Sequence, residues 1–201
     1  MIAVEPARAT DDATVARLHG SEIGDGFLAS LGPRFLRRLY RRIRLHGGSF
    51  LLVARADDGT VAGFVAGTEH TGALYRAFLR QDGAGAALVA APRLLVAARR
   101  TIETLRYGLG GGAGAAPGDL PPAELLALAV APAFRRQGVG RGLVTAFTDE
   151  MVSRRVDRAR VVVGGDNPAA RALYRAGGFA TYGRGDVHRG SPSEVLVWSR
   201  S

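Results

Sequence analysis

The sequence predicts a single α/β (α+β) domain in which strands and helices pack around one mixed sheet. Three observations carry this. Short aliphatic and β-branched runs alternate along the chain with segments whose apolar residues recur at helical spacing. Two such runs, at 50–54 and 61–68, flank Asp57-Asp-Gly-Thr60, a β-hairpin signal. A third run, 125–130, breaks at Ala131-Pro132, crosses a short basic turn and enters an amphipathic helix at Gly138-Val-Gly140. With 201 residues, 47% of them apolar, the chain suits one core and one domain spanning 1–201.

In chain order, residues 2–4 read as a short strand. Thr10-Asp-Asp-Ala resembles a helix N-cap leading into Val15 and Leu18, because a short polar side chain accepts from the unpaired N–H groups of a first turn. Gly32-Pro33 opens a clearer helix, since proline lacks only an N–H that the first turn would leave unpaired. Phe35, Leu36, Leu39, Tyr40 and Ile43 share one of its faces. Arg34, Arg37, Arg38, Arg41, Arg42 and Arg44 populate the other, which reads as solvated surface. After the hairpin and the strand at 125–130, the helix from Gly138 turns Val144, Phe147 and Met151 inward. A strand at 159–163, a helix from Asn167 and strands near 178–182 and 194–198 complete the chain.

The turn between Pro132 and Gly142 has what a pyrophosphate needs. Glycines let backbone N–H groups approach an anion, a fresh helix N-terminus offers unpaired donors, and Arg135, Arg136 and Arg141 add charge. A side chain at Gly140 is expected to fill the space where backbone and anion meet. The turn is not a P-loop, which needs Gly-Lys-Ser/Thr, because the chain has no lysine. Nor is it a dinucleotide fingerprint, since Leu143 stands where a third small residue belongs. Gly108-x-Gly110-x-x-Ala113 has that spacing but runs into Gly114, Pro117 and Gly118 rather than a helix.

Arg135-Arg-Gln-Gly138-Val-Gly140 resembles motif A of the GNAT superfamily of acyl-CoA-dependent N-acetyltransferases, Arg/Gln-x-x-Gly-x-Gly/Ala, and Leu-Ala-Val-Ala-Pro leads into it. Asn167-Pro-Ala-Ala-Arg-Ala-Leu-Tyr174-Arg-Ala-Gly-Gly178-Phe179 resembles motif B. The resemblance is specific over 122–179 and covers the N-terminal half in outline. It implies a GNAT-like mixed, largely antiparallel sheet flanked by helices. It also marks residues 71–121 as a helical insertion between the third and fourth strands, where a minimal family member has a short turn. Leu94, Leu95, Ala98, Ile102 and Leu105 form an apolar face there, before a glycine-rich tail. Packing on its own domain, a lid over the acceptor, a homodimer contact and an interfacial helix are the readings of that face.

The resemblance also implies roles. Acetyl-CoA is the expected co-substrate and no metal is expected. Backbone of Leu128, Ala129 and Val130 would hold the thioester carbonyl and pantetheine, and Arg135, Arg136, Gln137, Gly138, Val139, Gly140 and Arg141 the pyrophosphate. Tyr174 is the candidate general acid, a phenol that is protonated at neutral pH and able to donate to a departing thiolate. Glu124 is the candidate base, at the interval from Val130 and Gly138 of the catalytic glutamate in GNAT histone acetyltransferases. A solvated strand-end carboxylate explains it equally well, and Glu22, Asp25 and His188 are weaker rivals. Asn167 before Pro168 reads as an N-cap, and the resemblance places it near the pantetheine arm.

Composition narrows the alternatives. A formal charge of +9 invites polyanion binding, but every Lys or Arg position is arginine, aromatics are 7%, and no helix-turn-helix or zinc pattern is present. Nucleic acid is therefore not the expected partner. Zero cysteines exclude a cysteine nucleophile, so acyl transfer is either direct, in a ternary complex, or passes through another nucleophile. No leader pattern or membrane span is read, so a cytoplasmic location is expected. The leading reading is acetyl transfer to a primary amine, either a small molecule or a peptide N-terminus. A catalytically silent acyl-CoA sensor and a basic nucleic-acid or anionic-surface module are the alternatives.

Overall fold

The computed structural model describes residues 1–23, 27–83, 85, 120–164, 166–188 and 191–200. Seven strands form one sheet in the order β1-β2-β3-β4-β5-β7-β6. They are β1 (Ile2–Pro6), β2 (Ser49–Ala56), β3 (Val61–Thr68), β4 (Glu124–Val130), β5 (Arg158–Gly164), β6 (Phe179–His188) and β7 (Ser191–Ser199). Every pairing is antiparallel except β4 with β5, giving the mixed, largely antiparallel sheet expected. The hairpin forms at the expected tetrapeptide. Gly59 takes the left-handed φ of 86° that the turn needs, and the Thr60 N–H donates to Asp58 Oδ1 at 2.9 Å.

Helices cover both faces. On one lie α1 (Asp12–Glu22), the short α2 (Phe27–Ser30), α3 (Pro33–Leu45) and α4 (residues 71–83). On the other lie α5 (Val139–Ser153) and α6 (Pro168–Ala176). Two apolar clusters result. Val15, Leu36, Tyr40, Val53 and Phe64 centre the first, and Leu52, Val65, Leu143, Phe147 and Leu196 the second.

The N-terminus of α1 differs from the expectation. The N-cap falls within the expected Thr10-Asp-Asp-Ala, at Asp11, but the Asp11 carboxylate does not cap the helix. It accepts from the Arg8 N–H at 2.7 Å and from Arg55 Nη2 at 2.8 Å, a stronger, charge-assisted use of the same side chain. On α3, Arg34, Arg37 and Arg41 are exposed as expected, but Arg42 pairs with Asp82 at 2.6 Å and Arg44 with Asp12 at 2.9 Å.

The segment after β3 begins as core. Leu74 and Phe78 of α4 are 1% and 5% exposed, and Phe78 meets Phe35 edge-on at 5.5 Å. The apolar face around Leu94 and the glycine tail at 108–118 lie outside the described residues.

His19 of α1 is buried against α3, its Nδ1 2.6 Å from the Tyr40 hydroxyl. Burial lowers its pKa to about 4 from 6.5. The unfolded imidazole therefore takes a proton near pH 6.5 that the folded one refuses until about pH 4, and acid favours unfolding across that window. We expect His19 to cost on the order of 3 kcal/mol of stability between pH 7.5 and pH 4. Urea titrations of the parent and His19→Gln at both pH values should show a flatter acid loss in the variant, and parallel losses would refute the assignment.

Candidate active site

β4 has two unequal edges. β3 pairs with it from Thr68↔Glu124 to Gly63↔Val130, with Leu126 as an extra residue where the register shifts. β5 meets the other edge at one pair, Glu124↔Arg160, beside an Arg160 N–H to Ala123 carbonyl bond of 2.9 Å. The Ala131 N–H bonds the Ala62 carbonyl at 2.8 Å, which fixes the alternation. Ala127 and Ala129 thus exchange hydrogen bonds with β3, while Leu128 and Val130 turn their N–H and C=O groups to the edge that β5 has left. Of the three residues expected to hold a pantetheine, Leu128 and Val130 have their backbone groups on this edge, whereas the Ala129 backbone faces β3. An unpaired strand edge is a template for an extended amide-bearing chain.

The edge leads into the basic turn. A short 3₁₀ segment, Pro132–Phe134, closes it, and Arg136 then adopts a φ of 60° and Gly138 one of 81°. Left-handed residues at this spacing turn successive N–H groups to one side, an anion-binding concavity. Gly138 is also the N-cap of the 15-residue α5 and supplies no side-chain cap, so the first-turn N–H groups of Val139, Gly140 and Arg141 face the same concavity. Gln137 is tied back, its Nε2 donating to the Ala133 carbonyl at 2.9 Å. Arg135 donates from Nε to the Val130 carbonyl at 3.3 Å and pairs with Glu22 of α1.

Gly140 departs from its expected role. A Cβ there would lie 3.3 Å from Leu173 Cδ2 and 3.8 Å from Val130 Cγ2, so it would point at α6 and β4. The position allows α5 and α6 to pack closely, as Gly177 does, where a Cβ would sit 2.3 Å from Val144 Cγ1. The backbone freedom for the anion turn comes from Gly138, around which nothing lies within 4 Å of the Cβ position.

Tyr174 sits on α6, 7% exposed, with its ring 5.7 Å from that of Phe179. Burial pushes its phenol above the ordinary value, so it holds its proton throughout the neutral range. Asn167 caps α6 through Oδ1 accepting from the Ala170 N–H at 2.9 Å. The cap is as expected, and it leaves the amide nitrogen outward.

Glu124 lies across the sheet from Tyr174. Its neighbour Leu125 packs in the α5 cluster, whereas Glu124 meets α4. Its Oε2 accepts from Thr71 Oγ1 at 2.9 Å and from Arg160 Nε and Nη2 at 3.1 and 2.8 Å. Sequence reasoning missed Thr71, Tyr75 and Arg160, because the helical insertion from 71 carried no sign of packing against β4 and the β4–β5 register has no local signal. Among the rivals, Glu22 is committed to Arg135, while Asp25 and the His188 side chain lie outside the described residues. Among the described residues no cluster of His, Cys, Asp and Glu is suited to a metal, and no helix is long and apolar enough to cross a membrane.

Known proteins share this fold. The family model for the acetyltransferase (GNAT) family matches residues 21–179. The mycothiol acetyltransferase of Beutenbergia cavernae is 39% identical over 61 residues, spanning 30% of this chain and 20% of that protein. A GCN5-related N-acetyltransferase from Kribbella flavida superposes with a TM-score of 0.63 at 16% identity, over 98% of this chain and 97% of that one. AAC(6')-Ib, solved in complex with Parmomycin and AcetylCoA, gives 0.60 at 14% identity over 99% and 93%.

The Gly140 geometry predicts a packing cost. Gly140→Val should destabilise the domain by about 1–3 kcal/mol through overpacking against Leu173. In a Leu173→Ala background the same change should cost clearly less, and equal costs in the double-mutant cycle would remove Leu173 as the reason. The parting of β4 from β5, the left-handed turn into α5 and the match over 21–179 together place the chain in the GNAT acetyltransferase family.

Proposed function

We propose that the protein transfers an acetyl group from acetyl-CoA to a primary amine, directly and in a ternary complex. The observation that carries this reading is the edge of β4 at Leu128 and Val130, which β5 leaves unpaired and which runs into the turn at Arg136–Arg141; Tyr174 and Glu124, on opposite faces of the sheet, are the proposed proton carriers. Leu128 and Val130 would pair with the pantetheine amides, and the Gly138–Arg141 N–H groups with the pyrophosphate. Arg136 and Arg141 would add charge-assisted contacts, and Arg135 would do so on release from Glu22. Asn167 would offer its amide nitrogen to the same arm.

In this reading Glu124 takes a proton from the acceptor's ammonium, and the freed lone pair forms the carbon–nitrogen bond. As the carbon–sulfur bond breaks, Tyr174 gives its phenolic proton to the sulfur. The new amide nitrogen sheds its extra proton to the tyrosinate through solvent, and Glu124 releases its own proton to water. One proton leaves per turnover and both side chains are restored.

A catalytically silent acyl-CoA-binding protein is the second reading. The ion pair that already engages Glu124 favours it. A thiol-release screen with acetyl-CoA against small amines, amino sugars, aminoglycosides and peptide N-termini separates the two. Acetyl-CoA binding with no release on any acceptor selects the sensor.

Tyr174→Phe keeps the ring and its contact with Phe179. With the best acceptor, turnover should fall by on the order of a hundredfold while acetyl-CoA affinity and melting temperature hold. Full activity in the variant would make Tyr174 a packing residue.

A further inference from the structure

Glu124 is gripped by one oxygen. All three of its hydrogen bonds end on Oε2, and Oε1 accepts from none of the described residues. Arg160 sends two N–H groups into that single oxygen instead of straddling the carboxylate with its fork, the commoner geometry. The Glu124 side chain is 17% exposed and that of Arg160 16%, so the pair is largely shielded and its orientation is held. On the helix side of the sheet at this point, β5 is open, with Val162 37% exposed, so a ligand can approach.

The groups around the carboxylate come from three elements. β5 supplies Arg160, α4 supplies Thr71 and Tyr75, and β3 places Thr68 opposite Glu124. Burial, then the Glu124 carboxylate, push the Tyr75 phenol up to about 12, with Arg160 opposing, so Tyr75 brings no second negative charge to the cluster. The Thr71 N–H also bonds the Pro122 carbonyl at 3.1 Å, fixing the first turn of α4 to the start of β4, and that carbonyl, 3.2 Å from Oγ1, competes with the shorter contact to Glu124 Oε2 for the single hydroxyl proton.

We propose that Arg160 and Thr71 are positioning residues that hold Glu124 by Oε2 and thereby present Oε1 to the ammonium of the acceptor. The inference rests on Glu124 as the proton acceptor of the proposed transfer. It gives the first turn of α4 a part in the site. The proton moves from nitrogen to Oε1, the nitrogen keeps the electron pair, and the Arg160 contacts to Oε2 stay in place.

The test uses the full chain, acetyl-CoA and the best amine from the screen. Arg160→Gln should leave the acetyl-CoA Kd unchanged and lower acceptor kcat/KM about tenfold. The loss should fall on the acceptor side alone, with the acetyl-CoA KM held. Arg160→Lys should restore only part of the rate, since a point charge lacks the two-pronged grip. Thr71→Val, close to isosteric, should lower kcat/KM by a smaller factor, and it carries the test if Arg160→Gln does not fold. Glu124→Gln serves as the reference. If it is a hundredfold slower while the position-160 and position-71 variants match the parent in rate, the positioning role is overturned and the base survives. If Glu124→Gln keeps full turnover, the base reading itself fails.

Discussion

The structure turns on two parallel strands that touch at one residue pair and then part. A parallel neighbour reaches its place through a crossover, and here the crossover helix is α5. In such a unit the helix begins at the C-terminal end of its strand, so the unpaired donors of α5 open beside the end of β4 that β5 has abandoned. The strand edge and the anion turn are therefore two consequences of one topological step. Glu124 and Arg160 mark where the parting starts, which is why the ion pair between them bears on both the sheet and the site.

β5 can leave β4 because it is held on its other side. Seven register pairs with β7, from Arg158↔Ser199 to Gly164↔Ser193, satisfy that edge. Ala159, Val161 and Val163 point into the α5 cluster, so β5 loses little apolar contact by splaying. Small residues then bring α6 down onto α5 at Gly140 and Gly177, which carries Tyr174 into the core beside Phe179. A glycine placed for packing, Gly140, and one placed for its backbone, Gly138, thus stand two residues apart in one motif and act by different physics.

Much of this was legible in the sequence. All seven strands were placed, Val61–Thr68 to the residue, because buried strands bounded by turn chemistry announce themselves. Gly32-Pro33, Asn167-Pro168 and Gly138 marked helix starts for reasons that are purely local. What escaped depended on distant partners. Asp11 stands at the N-cap of α1 without capping it because Arg55, 44 residues away, engages that carboxylate. The insertion from residue 71 was expected to be helical, but its first helix, 71–83, was not delimited, and that Leu74 and Phe78 join the core depends on the cluster with Phe35. The direction of a Cβ at Gly140 and the bonding of Glu124 likewise depend on α6, α4 and β5 rather than on neighbours in the chain.

The arginine-rich composition has a structural explanation as well as an electrostatic one. A net charge of +9 reads as a reserve for polyanions, yet many of the guanidinium groups are spent inside the domain. Arg44 grips Asp12 with two nitrogens, Arg55 bridges Glu5 and Asp11, Arg154 joins Glu69 to Glu150, and Arg175 reaches Glu194. A fork of fixed planar donors loses less freedom per bond than an ammonium on a flexible stem, so arginine can tie one element to another across the fold. The same property matters at the site. Arg135 is held between Val130 and Glu22, which links the anion turn to α1, and Arg160 holds one oxygen of Glu124. Arginine in this chain sets geometry first and supplies charge second, and the two candidate proton carriers follow that division. Tyr174 keeps its proton because it is buried in the apolar cluster beside Phe179, whereas the Glu124 carboxylate is set in place by the guanidinium of Arg160.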